Sequence, residues 1–184
     1  FINNNANYSG GAICFTSWSG SVEGNSFVNC VFINNTADND DVYAYGGAIC
    51  FNLDSNNNSF VNCTFINNNA NYGGGAFCFF SDSGSNNNSF VNCTFINNAV
   101  ISDYGDIYGG AFCFFSDSGS VEDISWLNCV FINNTARSGD NDAYGGAIYF
   151  EGGSGSVKYC IFDNNEANEG SAIYINSGSV DVDY

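Results

Sequence analysis

The carboxylates are the side chains of this sequence best suited to bind a metal ion or to act in catalysis. The 184-residue chain has no His, so the usual general base and commonest metal ligand is absent. Acidic residues number 19 against 2 basic ones, a formal net charge of -17. Because Ca²⁺ prefers oxygen ligands, the Asp groups in three polar loops are candidate, weak Ca²⁺ ligands. These candidates are Asp38, Asp40, Asp41, Asp103, Asp106, Asp140 and Asp142.

Pairs of acids also occur in polysaccharide-cleaving enzymes. Lyases need a basic residue as well, and Arg137 and Lys158 are the only two. The sequence therefore favours a protein that is not an enzyme, with a carbohydrate-binding or carbohydrate-active lyase or hydrolase as the alternative. The acidic charge argues against binding to nucleic acid and to anionic membrane surfaces. No apolar run reaches the ~18 residues typical of a membrane-inserted helix.

The nine cysteines fall into two sets with constant spacing to their neighbours. Four follow a Gly-Gly-Ala motif, and five precede a Phe, and neither set forms the Cys-x-x-Cys of a zinc site. Two interpretations are open: disulfides along or between the sets, or stacked reduced thiols that act as small apolar side chains. We expect mostly reduced thiols. The sets are Cys14, Cys50, Cys78 and Cys113, and Cys30, Cys63, Cys93, Cys129 and Cys160.

These residues are positioned by an internal repeat. Phe-Ile-Asn-Asn begins at Phe1, Phe32, Phe65, Phe95 and Phe131, and a degenerate copy begins at Phe162. Each copy is followed by Gly-Gly-Ala, altered to Gly-Ser-Ala in the last unit. A fixed period of this size indicates a repeat architecture. The chain is thus expected to contain six units of about 31 residues.

The repeat predicts an all-β fold, a parallel β-helix (β-solenoid) of six coils. Short apolar runs alternate with clusters of Gly, Asn, Asp and Ser, as strands alternate with turns. Like sequences recur once per unit, so equivalent strands are expected to stack in parallel. With a rise of ~4.8 Å per coil, six coils would give a rod roughly 29 Å long. We expect residues 1–184 to form a single continuous segment of a longer rod or filament.

Successive side chains of a strand point to opposite sides, so the sequence predicts which of them point into the solenoid. Ile49 and Phe51 represent the inward positions of the Gly-Gly-Ala strands, and Val61, Cys63 and Phe65 those of the strand before each Asn pair. The Asn pairs are expected to form a ladder of side-chain amides between coils, and to supply the left-handed backbone of a tight turn. The expected ladder comprises Asn4, Asn35, Asn68, Asn98, Asn134 and Asn165.

Seven Asn residues begin an Asn-x-Ser/Thr sequence, the acceptor for N-glycosylation. Four of them are expected to be accessible carriers: Asn57, Asn62, Asn87 and Asn92. Asn34 and Asn133 are expected to belong with the ladder and not to carry glycans.

With both motifs placed, the chain resembles the repeats of chlamydial-type polymorphic outer membrane proteins. Those repeats pair Phe-x-x-Asn with Gly-Gly-Ala-Ile, as Phe32–Asn35 is paired here with Gly46–Ile49. The repeat style is also similar to that of adhesin-like surface proteins of methanogenic archaea and some bacteria. The resemblance implies a β-helix exposed outside the cell, at the cell surface. Phe77 and Phe112 depart from the pattern, since they occupy the position of its Ile.

The favoured function is therefore an extracellular, non-enzymatic adhesin or rod. Three longer loops, Thr36–Tyr45, Ala99–Tyr108 and Thr135–Tyr144, mark one side as the expected working surface. Their aromatic residues could contact glycans or proteins of a host or neighbouring cell, or pack the loops instead. They include Tyr43, Tyr45, Tyr72, Tyr104, Tyr108 and Tyr144.

The two ends of the chain match each other. If Ser156-Val157 is aligned with Ser179-Val180, Phe1 of a second copy follows Tyr184 in register. The sequence thus predicts copies joined end to end, covalently or by stacking, as in an open filament. The junction would comprise Phe1, Ile2, Val180, Val182 and Tyr184.

Overall fold

The structure is a computed structural model that describes residues 1–16, 20–39, 43–52, 54–81, 85–103, 105–116 and 123–183. Within these ranges every regular element is a β-strand, so the chain is all-β as predicted. The strands in chain order are β1 (Asn5–Ala6), β2 (Ile13–Thr16), β3 (Val22–Glu23), β4 (Ser26–Val28), β5 (Val31–Ile33), β6 (Thr36–Ala37), β7 (Ile49–Asn52), β8 (Ser55–Asn56), β9 (Ser59–Val61), β10 (Thr64–Ile66), β11 (Asn69–Ala70), β12 (Phe77–Ser81), β13 (Ser89–Val91), β14 (Thr94–Ile96), β15 (Ala99–Ser102), β16 (Ile107–Tyr108), β17 (Phe112–Ser116), β18 (Ile124–Leu127), β19 (Val130–Ile132), β20 (Thr135–Ser138), β21 (Ala143–Tyr144), β22 (Ile148–Lys158), β23 (Ile161–Asp163) and β24 (Ile173–Asp183).

The strands stack in parallel, coil upon coil. The strands β5, β10, β14, β19 and β23 form one sheet, and β1, β6, β11, β15 and β20 form a second. The third sheet has ten strands because the long β22 pairs both with the Gly-Gly-Ala strand β17 and with β18. Pairing joins each residue to its counterpart in the next unit, as Phe65 to Phe32 and to Phe95. This arrangement confirms the parallel β-helix.

The solenoid has about four turns, slightly fewer than the six coils expected from the repeat count. The four middle units have a neighbouring coil on both sides, whereas the first and sixth units pack against a coil on one side only.

Columns of aromatic rings fill the inside of the solenoid. Phe32 and Phe65 stack with ring centroids 4.8 Å apart and planes 4° apart. This spacing equals that of paired strands, so the register of the sheet imposes it. The core is dominated by such columns: Phe32, Phe65, Phe95 and Phe131; Phe60, Phe90 and Trp126; Phe51, Phe79, Phe114 and Phe150. The inward facing predicted for the Gly-Gly-Ala strands is therefore confirmed.

In the strand before each Asn pair, the side chains that point inward are not all those predicted. Phe60 is fully buried, whereas Val61 is only partly buried and its counterpart Val28 is 53% exposed, so the inward assignment of this Val position is wrong. The cause is Asn62, whose φ of 53° bends the chain between β9 and β10 and interrupts the alternation of side chains. Cys63 follows the bend and is buried as predicted.

The predicted Asn ladder is present and uses the second Asn of each pair. Along it each Nδ2 donates to the next Oδ1 at 2.8–3.0 Å. Asn68 shows the full pattern, since its Nδ2 also donates to the Phe32 carbonyl and its Oδ1 also accepts from the Asn35 backbone N–H. The four middle ladder amides, Asn35, Asn68, Asn98 and Asn134, are buried with their hydrogen bonds satisfied, so each of them ties a coil to both neighbours.

A second ladder was not predicted. Asn25 donates to Asn58, and Asn58 to Asn88, through side-chain bonds of 2.8 and 2.9 Å at another corner of the coil. The signal was present in the sequence, because each of these residues begins a copy of Asn-Ser-Phe-Val-Asn-Cys.

The two Gly residues of each Gly-Gly pair are required for different structural reasons. The first has a left-handed backbone, with φ of 64° at Gly74 for example. The second lies against backbone: a Cβ on Gly75 would be 2.1 Å from the carbonyl oxygen of Gly110 in the next coil. Only Gly allows the coils to approach this closely.

Replacing Phe79 by Ala should reduce the free energy of unfolding by about 3–5 kcal/mol, because it leaves a cavity in the aromatic core. Phe79 is fully buried and contacts the rings of Phe51 and Phe77 at centroid distances of 5.0 Å. The control is Asp103→Ala, since Asp103 is exposed. Chemical denaturation measures both variants, and equal losses would contradict the assignment of inside and outside.

Candidate binding surface

The outer side of the Gly-Gly-Ala strands carries an aromatic surface outside the main core. Ile49 and Phe51 point inward, so Cys50 between them points outward, and its counterparts are Cys14, Cys78, Cys113, Tyr149 and Tyr174. Rings from the preceding turns cover this column and bury its three middle thiols. We call this surface the tyrosine–cysteine face. Its aromatic members are Tyr43, Tyr45, Tyr72, Phe80, Tyr108, Phe115, Tyr144, Tyr149 and Tyr174.

The rings of the tyrosine–cysteine face contact one another along the rod. Tyr43 and Tyr72 have centroids 4.0 Å apart, and Tyr72 and Tyr108 5.3 Å apart. Tyr108 then stacks on Tyr144 at 5.7 Å. Tyr43 is 57% exposed and most other rings are half-buried, so the face is in part packing and in part accessible surface. Of the predicted loop tyrosines, Tyr104 lies outside the described residues.

Two grooves open between these rings. The larger, of about 250 Å³, lies between Tyr43, Tyr45 and Phe80 and reaches Cys50. The smaller, of about 150 Å³, is lined by Tyr108, Tyr144, Tyr149, Tyr174, Asp106 and Asn176. Sequence reasoning found several of these rings but neither groove, because a groove depends on side chains from three successive coils.

Burial of the rings controls their ionisation. It raises the pKa values of Tyr45, Tyr72, Tyr108 and Tyr149, since a phenolate would lose its hydration there. The hydroxyl of Tyr149 donates to Glu151 at 2.9 Å, which raises its pKa further. The face therefore presents neutral phenols beside exposed carboxylates.

The protein should lose stability as the pH rises above about 10. The unfolded tyrosines ionise near pH 10, whereas the folded ones have raised pKa values, so alkali stabilises the unfolded state. This contribution is fully present below the unfolded pKa and is lost as the pH approaches the folded values. Tyrosinate absorbance and circular dichroism should change together in alkali. Free titration of all the tyrosines near pH 10 with the β spectrum intact would contradict the buried face.

The second cysteine set lies inside the solenoid beside the Phe columns. Cys63, Cys93 and Cys129 are buried, and each thiol donates to the carbonyl of a Phe in the coil before, at 3.4 Å. All nine cysteines lie within the described residues and form no disulfide there. The two columns are thus aligned as predicted, and their reduced state in solution stays a prediction.

Alkylation with intact-mass measurement should settle the thiol state. After denaturation without reductant we expect more than two of the nine cysteines to react, because stacked reduced thiols become accessible. In the native protein Cys160 should react first, since it is only half-buried and a hydrogen bond from Cys129 lowers its pKa to about 7. Alkylation of two or fewer cysteines after denaturation would indicate disulfides.

One contact joins Asp residues of two acidic loops. Asp106 and Asp142 lie in adjacent coils, where the Asp142 backbone N–H donates to Asp106 Oδ1 at 3.2 Å. Asp38, Asp103 and Asp140 are exposed, while Asp40 and Asp41 lie outside the described residues. No group of three potential metal ligands occurs in the ranges described. Binding of Ca²⁺ to these loops stays a prediction.

The predicted glycan carriers all lie at the surface. Asn57, Asn62, Asn87 and Asn92 are exposed and have left-handed backbones. Asn34 is also exposed, because the ladder runs through its neighbour Asn35. Asn133 is likewise exposed beside the ladder residue Asn134, and the exclusion of Asn34 and Asn133 as glycan carriers stays a prediction. Glycosylation itself stays a prediction.

A polar groove on another side of the rod was missed by the sequence analysis. It has a volume of about 480 Å³ and contains Lys158, Asp123 and Asp181 among serines. Its members, which include Asn87, lie in four successive coils, since Ser89 pairs with Ser125, Ser125 with Ser156, and Ser156 with Asp181.

The predicted junction between chain ends is out of register. In the structure Val157 pairs with Val182, not with Val180, because the pairing of β22 and β24 shifts at two irregularities near Glu151. The equivalent of Phe162 would come five residues after Val182, whereas Phe1 placed directly after Tyr184 would come three residues after it. Phe1 and Ile2 are 52% and 59% exposed, Val182 is 48% exposed, and Val180 packs against the core. Tyr184 lies outside the described residues.

Comparison with known proteins agrees with the geometry. Residues 29–52 and 128–151 match the family model of the Chlamydia polymorphic membrane protein repeat. Both segments run from the bend before a Phe-Ile-Asn-Asn motif through a long loop into a Gly-Gly-Ala strand. No curated protein and no solved structure shows significant similarity to the chain. The described residues contain no helix of the length and apolarity that crosses a bilayer. The chain is thus a parallel β-solenoid in which two units match the Chlamydia polymorphic membrane protein repeat.

Proposed function

We propose that the chain is an extracellular, non-enzymatic, adhesin-like β-helix at a cell surface. Similarity to a repeat of polymorphic membrane proteins supports the location. The solenoid supplies a stiff support, since each coil is tied to its neighbours by sheet bonds and by Asn ladders. Glycans or proteins of a host or neighbouring cell are the proposed partners.

The tyrosine–cysteine face is the observation that carries this proposal. The core does not need its rings, because the inward columns are complete without them. Half-exposed tyrosines combine apolar area with a polar tip, and tyrosine is enriched where proteins bind partners. The long loops contribute several of these rings, so variation in loop length changes the face and leaves the coil intact.

Binding of the purified protein to glycan arrays and to panels of cell-surface proteins tests the proposal. We expect saturable binding to a small number of related glycans or proteins. If the protein is folded by circular dichroism and binds no glycan and no surface protein, the adhesin proposal is contradicted and a purely structural rod remains.

Association of copies end to end is the finer part of the proposal. The exposed strand edges at both end coils support it, because such edges pair readily. A new coil must accommodate Ser171, however, which occupies the position of the closely packed second Gly. Light scattering at high concentration should show growing rods. A compact monomer would contradict stacking between separate copies.

Carbohydrate cleavage is the second candidate, and the polar groove favours it. Lys158 lies there with two carboxylates, the types of group that a lyase or hydrolase needs. Incubation with acidic and neutral polysaccharides should release reducing or unsaturated ends if this alternative holds. Equal product from wild type and Lys158→Met would count against it.

A further inference from the structure

The smaller groove of the tyrosine–cysteine face joins aromatic rings from three coils. Its four rings form two stacked pairs, Tyr108 with Tyr144 at 13° and Tyr149 with Tyr174 at 6° between planes. The pairs are inclined to each other, by 57° between Tyr108 and Tyr149. Ring surface thus meets the groove in two orientations. We call this site the tyrosine groove.

Negative charge converges on the tyrosine groove. Asp106 lines it, and the pKa of Tyr144 is raised by partial burial and by the carboxylates of Asp142, Asp106 and Glu169. Glu151 lies beneath Tyr149 and adds to this potential. The chain has only two basic residues to offset its acidic charge. A cationic ligand is therefore the electrostatic complement of the groove.

The hydrogen-bonding groups around the tyrosine groove are largely engaged with each other. Glu151 accepts from the Tyr149 hydroxyl at 2.9 Å and from Asn176 Nδ2 at 2.8 Å. Asp142 accepts from the Tyr144 hydroxyl at 3.4 Å. An arginine or lysine side chain would bring several N–H donors that need acceptors of their own. A quaternary ammonium has no N–H group and needs only ring surface and negative charge.

We propose that the tyrosine groove binds a small quaternary ammonium cation of the choline type. Such cations are attracted to the faces of aromatic rings within about 6 Å of the ring centre. The volume of the groove, about 150 Å³, can hold one trimethylammonium group but is too small for a chain of sugars. The inference names a ligand class for part of the tyrosine–cysteine face, and so rests on its proposed role as a contact surface.

The carboxylates beside the groove also favour a free quaternary ammonium cation over one that carries a phosphate. Phosphocholine carries a phosphate next to its ammonium group, and this phosphate would approach the exposed carboxylates of Asp106 and Asp142. Free choline and tetramethylammonium carry no such anion. They should therefore bind more tightly than phosphocholine or vesicles of phosphatidylcholine.

Isothermal titration with tetramethylammonium chloride and choline chloride, at ionic strength held constant with NaCl, tests the proposal. Both cations should give saturable binding, whereas 3,3-dimethylbutan-1-ol, the neutral carbon analogue of choline, should not bind. Equal binding of the alcohol would show that apolar contact alone is responsible. Tighter binding of arginine methyl ester than of tetramethylammonium would favour a basic peptide and overturn the proposal.

Two variants and a matched control locate the site. Tyr144→Leu and Asp106→Asn should each weaken choline binding about tenfold, through loss of ring surface and of charge. Asp38→Asn removes the same charge from a loop two coils away and should leave the affinity unchanged. Melting curves check that all three variants fold. Equal weakening by Asp38→Asn, or unchanged affinity in both groove variants, would overturn the proposal.

The outcome for the tyrosine groove is separate from that for the adhesin function. If a partner from the arrays binds but choline does not, or if Tyr144→Leu leaves choline binding unchanged, the groove proposal alone is contradicted. If choline binds as expected and no surface glycan or protein does, the adhesin proposal falls and the cation site stands.

Discussion

Replacing Gly75 by Ala is expected to destabilise the protein by more than about 4 kcal/mol or to prevent folding, an effect at the upper end of single substitutions. The added Cβ would lie 2.1 Å from the carbonyl oxygen of Gly110 and 2.5 Å from that of Ala99. Both atoms are backbone of neighbouring coils, so neither can move without separating strands. The backbone of Gly75 itself lies outside the left-handed region, which makes the effect purely steric.

The control for Gly75 is Gly139→Ala. A Cβ on Gly139 would meet Asp103 Oδ1, the end of an exposed and movable side chain, at 2.7 Å. The variant should therefore fold normally. Denaturant unfolding followed by circular dichroism compares the two proteins, and similar stability of both would show that the coils are not packed as described.

Replacing Asn68 by Ala should reduce the free energy of unfolding by about 4 kcal/mol or more, because each buried polar group left without a partner costs ~1–3 kcal/mol. The change removes the acceptor for the backbone N–H and side-chain amide of Asn35. It also removes the donor to the Phe32 carbonyl and to Asn98. Water cannot replace these bonds readily, since the middle of the ladder is fully buried.

The neighbouring residue provides the control for the ladder. Asn69 pairs with Ala99 in the next coil, so Asn69→Ala places in β11 the residue that already occupies the equivalent position of β15. Its effect on unfolding should be within a few tenths of a kcal/mol, as for most surface changes. If both substitutions cost the same, the ladder is not what ties the coils together.

The architecture could be predicted because it repeats. The spacing of the repeated motif predicts which residues of neighbouring coils pair with each other. The ladder could be predicted because Asn residues occur at identical positions in six units. The facing before each Asn pair could not be predicted by alternation, because the left-handed Asn62 bends the strand. Lys158 offered a clue, since a Lys in the Val61 column fits an outward position.

The candidate binding surface was harder to predict, for a physical reason. The tyrosine–cysteine face and both ligand-sized grooves arise where turns of different length fold against the outer side of a sheet. The rings that line the tyrosine groove occupy non-equivalent motif positions, as Tyr108 and Tyr149 do. The alignment of Val157 with Val180 was wrong for a related reason, because two irregularities between β22 and β24 shift a register that motif alignment alone treats as constant.

We expect the tyrosine–cysteine face to be the surface through which the rod binds its partner. The most direct test compares the array and cell-surface protein binding of wild type with two double variants. One is Tyr43→Ser with Tyr72→Ser, on the face. The other is Ile66→Thr with Ile96→Thr, at partly exposed outward positions of β10 and β14. Both variants must melt cooperatively like wild type. We expect at least a tenfold loss of affinity for the tyrosine variant and none for the isoleucine variant, whereas the opposite pattern would rule out the tyrosine–cysteine face as the binding surface.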